Sequence, residues 1–154
     1  MSSRLFQEIR EKRGLCYSIF SFTQMQNSSG VFGFYAGASP NDVNELLEAS
    51  LNEWKNIKNF ISNEELIRAK AQMRSGFIMG QESNSARAEY YAKSMINFGK
   101  LIKTNEVIKK IENISINSIH NVMDKLFTSA NPVLSVIGPN ASLFKKLNIN
   151  NLLD

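Results

Sequence analysis

The sequence predicts an α+β fold, in which a small, mainly antiparallel sheet has helices packed on one face. Two early stretches alternate aromatic or β-branched residues with small or polar ones, as paired strands do. A long block with apolar residues at helical spacing and clear helix-start signals follows them. A short apolar run after Pro132 predicts one more strand. Two hairpin strands, a block of helices and a late strand together indicate the α+β class.

A short basic helix is expected at the start of the chain. Leu5, Phe6 and Ile9 fall within one turn of each other and give this helix one apolar stripe. Gly14 follows the last basic residues of the helix and suits a left-handed C-terminal cap, because glycine adopts a positive φ without steric cost. The pattern then changes at Cys16, where the chain is expected to continue as a strand.

A turn at residues 27–30 is expected to join this strand to a second one over residues 31–38. In the second strand, Gly33 and Gly37 share the face opposite Phe32, Phe34, Ala36 and Ala38. Their missing side chains would let a neighbouring segment approach closely, and either a packed helix or an extended peptide would suit that face.

Ser39 is expected to cap the next helix, with Pro40 at its first position and Asp42 at its third. This helix should run to about Asn59. The remaining predicted elements are a helix that opens with a capping box at 62–65 and runs through Phe77, a kink or break near 80–85, helices over 86–98 (closed by Gly99), 104–111 and 115–127, and a strand over 133–137.

Composition limits the classes of function. A chain of 154 residues with 43% hydrophobic residues is expected to form a single domain. The net charge of +4 is spread among interspersed acidic and basic residues, so nucleic acid is not an expected partner. No apolar run approaches the roughly 18 residues of a membrane span. The single cysteine, Cys16, is expected to be a small buried residue and fits a reducing compartment, so the bacterial cytoplasm is expected, with an organelle matrix or periplasm left open.

Several separated segments resemble one known family. SRLFQEIREKRGLCYS, SPNDVNELLEASLNEW and the late PVLSVIGP occur in the order found in the C-terminal domain of the pitrilysin and mitochondrial processing peptidase family, the inverted H-x-x-E-H zinc metallopeptidases that include insulinase-like enzymes. The resemblance implies that residues 1–154 are the later part of that domain, without its first strand and helix. An unpaired sheet edge would then remain for another chain or for a second copy.

The resemblance also implies two substrate-binding residues. In that family an arginine, and a tyrosine seven positions later, bind the backbone of the peptide substrate; the matching residues here are Arg10 and Tyr17. A guanidinium with five donors and a phenol suit peptide carbonyls or a charged tetrahedral intermediate. A surface ion pair for Arg10 and a half-buried strand position for Tyr17 are the alternatives.

The chain lacks the residues for zinc hydrolysis. The family's metal site needs two histidines and a glutamate ligand, with a second glutamate as base, whereas His120 is the single histidine here and is expected to be a satisfied structural residue. No catalytic or metal-binding residue is therefore predicted, and zinc is expected on a partner domain or subunit that carries H-x-x-E-H. The expected function is noncatalytic substrate binding in peptide or presequence processing; the alternative is an inactive scaffold subunit in a larger complex.

Overall fold

The computed structural model describes residues 3–26, 28–129 and 132–139. They form two compact units, the first from Met1–Phe60 with Asp124–Asp154 and the second from Ile61–Met123. The elements in chain order are a π-helix (Phe6–Glu11), strands β1 (Ser18–Met25) and β2 (Gly30–Gly37), and helices α1 (Val43–Asn59), α2 (Asn63–Gly80), α3 (Asn84–Phe98), α4 (Thr104–Glu112) and α5 (Ile116–Ser129). The predicted α+β class is confirmed.

The first helix is wider than an α-helix. The amide of Lys12 donates to the carbonyl of Gln7, five residues earlier, at 3.0 Å. Gly14 ends the helix in the left-handed conformation with φ +67°, as predicted, and its amide donates to the Arg10 carbonyl at 3.1 Å. Ile9 is fully buried in this helix and anchors it to the core of the first unit.

Strands β1 and β2 form an antiparallel hairpin, and Ser18 pairs with Gly37 in its register. In the part of the chain that the structure describes, the sheet contains these two strands alone. Gly33 lies directly opposite Phe22, and a Cβ built on Gly33 would meet the Phe22 ring at 3.0 Å. The glycine therefore makes room for a cross-strand aromatic ring, and the expectation that a helix or a peptide fills this space is wrong at Gly33.

Helix α1 covers the other face of the hairpin. The Trp54 ring lies 5.5 Å from the ring centroid of Phe32 and 6.5 Å from that of Phe34. Phe127, near the end of α5, packs on the same indole at 5.5 Å. The core below it is a cluster of small and aliphatic side chains: Ile9, Leu15, Cys16, Ile19, Leu46 and Ala49. These contacts place α1 and the π-helix against the inner hairpin face, in agreement with the predicted arrangement.

Ser39 does not cap α1, so this prediction is wrong. The helix begins at Val43, and Asp42 stands at its N-cap position without a side-chain capping hydrogen bond. Residues 39–42 instead form a turn in which the Asp42 amide donates to the Ser39 carbonyl at 3.0 Å. The Ser39 side chain is consequently free to contact another part of the chain.

In the second unit, local sequence signals predicted where helices begin and end. Ser62 and Glu65 form both hydrogen bonds of the predicted capping box at 3.1 Å each, and α2 ends at Gly80, where a break was expected. Gly99 closes α3 with φ +66°. The Lys70 ammonium donates to the Glu112 carbonyl at 2.8 Å and so ties α2 to the end of α4. The boundary between the two units falls inside α5.

The predicted strand over residues 133–137 is absent from the structure. Val133 and Ile137 are 92% and 99% exposed, although this run is strongly apolar. A strand needs a neighbour that pairs with its backbone and covers its side chains. Among the described residues the hairpin strands pair with each other alone, so this run gains neither.

Candidate functional site

Arg10 lies in the last turn of the π-helix and is partly exposed. Its guanidinium carbon lies 4.7 Å from the centroid of the Phe6 ring, four residues earlier. The neighbouring charges are paired elsewhere, because Lys12 contacts Glu8 at 2.6 Å and Arg13 approaches Glu45 at 4.0 Å. Within the described ranges, Arg10 makes no salt bridge with a carboxylate, and the surface ion pair considered for it is not observed.

Tyr17 stands immediately before β1, with its side chain 74% exposed. Its amide donates to the carbonyl of Gly37 at 2.8 Å, which fixes the backbone against the end of β2. Its phenol oxygen lies 3.0 Å from the Ser39 Oγ. The side chain is therefore held by its polar end, and the half-buried position considered for it is not observed.

The structure places Arg10 and Tyr17 on the two sides of the Gly14 turn. No hydrogen bond joins their side chains in the part of the chain described here, so each is free to contact a shared ligand separately. Leu15 and Cys16, between them, are buried in the core and hold the connection in place. Burial raises the pKa of the Cys16 thiol, while the positive charge of Arg10 opposes this rise. Cys16 is thus a buried residue that anchors the connection in the core.

Sequence reasoning missed two side chains of this site. Phe6 was assigned to the apolar core stripe, yet its ring also supports Arg10; the aromatic and cationic residues at positions i and i+4 were the available signal. Ser39 was assigned to a helix cap, yet it contacts Tyr17. The residues next to Ser39 in the sequence do not indicate that contact, since it depends on the register of the hairpin.

The outer face of the hairpin next to this site carries exposed aromatic rings and no charge. Phe20 and Tyr35 pack on each other at 5.3 Å between ring centroids, and both remain about half exposed. Neither strand contains a charged residue. Charged side chains are one of the usual devices that stop sheet edges from pairing with other chains.

The described residues contain no group of three or more His, Cys, Asp or Glu side chains that could hold a metal ion, so the donor set of a catalytic zinc is not met by them. His120 is half-buried in α5, and its Nε2 has no hydrogen-bond partner among the described residues. The prediction that His120 is a satisfied structural residue is therefore wrong at Nε2. None of the described helices has the length and apolar character needed to cross a membrane.

Comparison with known proteins relates this chain to one family. Residues 1–73 match the family described as the peptidase M16 inactive domain. The chain is 39% identical over 140 residues to a protein of Rickettsia felis named as an uncharacterized zinc protease, with 91% of this chain and 34% of that protein covered. A protein of Streptomyces coelicolor with the same description is 34% identical over 140 residues, covering 90% of this chain and 30% of that protein. The chain thus spans about a third of the length of these relatives.

Two solved structures share the fold. A chain in the structure titled complex III2 from Candida albicans, Inz-5 bound, superimposes with a TM-score of 0.74 at 23% identity, covering 81% of this chain and 30% of that chain. The periplasmic protease PqqL from Escherichia coli superimposes with a TM-score of 0.61 at 19% identity, covering 79% and 14%. The matches in sequence and in fold agree, and the chain belongs to the M16 peptidase family, to whose inactive domain its residues 1–73 correspond.

Proposed function

We propose that this chain is a noncatalytic, peptide-binding domain of a zinc metalloendopeptidase and that it works beside a separate domain or subunit that carries H-x-x-E-H. The match to an inactive domain and the relatives named as zinc proteases support this proposal. The residue count supports it as well, because one histidine cannot supply the two that an H-x-x-E-H site requires. Zinc is proposed to bind on the partner, which supplies the hydrolytic chemistry.

The observation that carries the proposal is the contacts and exposure of the Arg10 and Tyr17 side chains. Among the described residues Arg10 has no carboxylate partner, and the exposed phenol of Tyr17 lies on the other side of the Gly14 turn. A guanidinium that rests on an aromatic ring through its face keeps its in-plane N–H groups available as donors. Arg10 would donate to a main-chain carbonyl of an extended peptide, and the Tyr17 hydroxyl would bind a neighbouring main-chain group.

Binding of a peptide through its main chain does not require a specificity pocket for its side chains. An extended peptide presents a carbonyl at each residue whatever its sequence, so two fixed donors can hold many peptides in one orientation. Holding the peptide would bring its scissile bond to the partner's metal and so contribute through positioning. Such binding serves the processing of peptides or presequences of varied sequence.

A scaffold role is the second candidate. It is favoured by the similarity of fold to a chain of complex III2. In that role the uncharged hairpin, with its exposed aromatic rings, would serve assembly, and Arg10 and Tyr17 would contribute nothing to turnover.

Copurification of the tagged chain from its native cells, followed by a peptidase assay, separates the two roles. The proposed function predicts a partner that carries H-x-x-E-H and cleavage of a fluorogenic peptide that a chelator abolishes and that requires both components. An assembly without an H-x-x-E-H component, or one that cleaves equally well after this chain is removed, would contradict it. Chelator-sensitive cleavage by the isolated chain would also overturn the assignment of zinc to a partner.

A further inference from the structure

The Tyr17 hydroxyl and the Ser39 Oγ lie 3.0 Å apart and are held there by backbone hydrogen bonds on both sides. Tyr17 is fixed to the end of β2 by its amide bond to the Gly37 carbonyl at 2.8 Å. Ser39 lies two residues beyond Gly37 and starts the turn that the Asp42 amide closes. The hairpin register thus brings two hydroxyl groups together from residues 22 apart in sequence.

We infer that Ser39 is a positioning residue that orients the hydroxyl of Tyr17 toward the peptide; this inference rests on the proposed function. With its side chain 74% exposed, Tyr17 has little packing to restrict its rotation. Its contact with Ser39 is the side-chain hydrogen bond that the described residues give it. Ser39 therefore lowers the conformational entropy that the phenol loses when it binds a ligand.

The direction of the hydrogen bond between Ser39 and Tyr17 also determines whether the phenol can donate a hydrogen bond to the ligand. When the Ser39 hydroxyl donates to Tyr17, the phenol proton is free to donate to a peptide carbonyl, and the chain of two hydrogen bonds strengthens each. This direction suits a site in which Arg10 is also a donor, because both residues then bind carbonyl oxygens. Replacement of Ser39 by alanine would remove this contact and leave the Tyr17 phenol present without a fixed orientation.

A double-mutant cycle in the zinc-bearing assembly tests this inference. The variants are Ser39→Ala, Tyr17→Phe and the double variant, with Ser39→Thr as the rescue and Ser18→Ala as a matched control in the same hairpin. We expect Ser39→Ala to lower kcat/KM about fivefold, the value of one net hydrogen bond. The double variant should be no worse than Tyr17→Phe alone, Ser39→Thr should recover most of the loss, and Ser18→Ala should change little.

The outcomes distinguish this inference from the function on which it rests. If Tyr17→Phe lowers kcat/KM while Ser39→Ala leaves it unchanged, or if the two losses multiply, Ser39 does not act through Tyr17. If Tyr17→Phe leaves kcat/KM unchanged, both the proposed function and the inference fail. Thermal unfolding of each variant completes the test: a loss of activity that follows a loss of stability and is not recovered by threonine would make Ser39 a structural residue only.

Discussion

Replacement of Gly14 by alanine should destabilise the first unit by about 1–2 kcal/mol, the cost of holding a residue with a Cβ in the left-handed region. The structure separates this cost from a steric one, because a Cβ at Gly14 would meet no atom within 4 Å while φ is +67°. The expected loss is thus purely conformational. Asparagine tolerates this region better than alanine does, so Gly14→Asn should lose less stability.

Gly76 provides the matched control. It lies inside α2 with an ordinary φ and nothing within 4 Å of a built Cβ, so Gly76→Ala should gain roughly 0.5–1 kcal/mol through the helix preference of alanine. Urea unfolding of both alanine variants measures the expected loss and the expected gain in the free energy of unfolding in one assay. A Gly14→Ala protein that is as stable as the parent would refute the assigned backbone conformation and, with it, the left-handed turn between Arg10 and Tyr17.

Three further predictions test the core, a cap and the cysteine. Ile9→Ala should cost about 2–5 kcal/mol in urea unfolding, since Ile9 is 0% exposed; a loss below 1 kcal/mol would contradict its place in the core. Ser62→Ala should cost about 1 kcal/mol through the capping box, and Ser62→Asp should retain most of the stability, whereas equal loss in both variants would argue against a capping role. Cys16 should react slowly with a thiol reagent in the native protein and quickly in urea, because burial raises the pKa of its thiol; rapid native labelling would show the thiol to be accessible.

The sequence predicted well those features whose cause is local. The capping box at Ser62, the left-handed glycines Gly14 and Gly99, and the break at Gly80 each depend on a few neighbouring residues. Amphipathic spacing likewise identified the helices, since burial of one stripe is a property of the segment itself.

Features that depend on distant pairing were predicted poorly. The contact of Ser39 with Tyr17 requires the hairpin register, and the N-cap signal at Ser39 competes with it in the sequence. The 133–137 run has the composition of a covered strand, but no strand forms in the structure because the described residues offer it no pairing partner. Gly33 was predicted to let a helix or an extended peptide approach closely, whereas an aromatic ring from the opposite strand occupies that space.

The proposed function predicts that Arg10 binds the peptide and that the neighbouring Arg13 does not. Arg10→Ala and Arg13→Ala remove the same charge within one short segment, but Arg13 is the one that faces a carboxylate, Glu45. The decisive measurement is kcat/KM of the zinc-bearing assembly for both variants, together with their thermal unfolding. We expect Arg10→Ala to lose at least tenfold, as removal of a charged donor does, with Arg13→Ala within about twofold of the parent and both variants folded. Equal kinetics for the two variants, or a loss in Arg10→Ala that follows unfolding, would contradict the account.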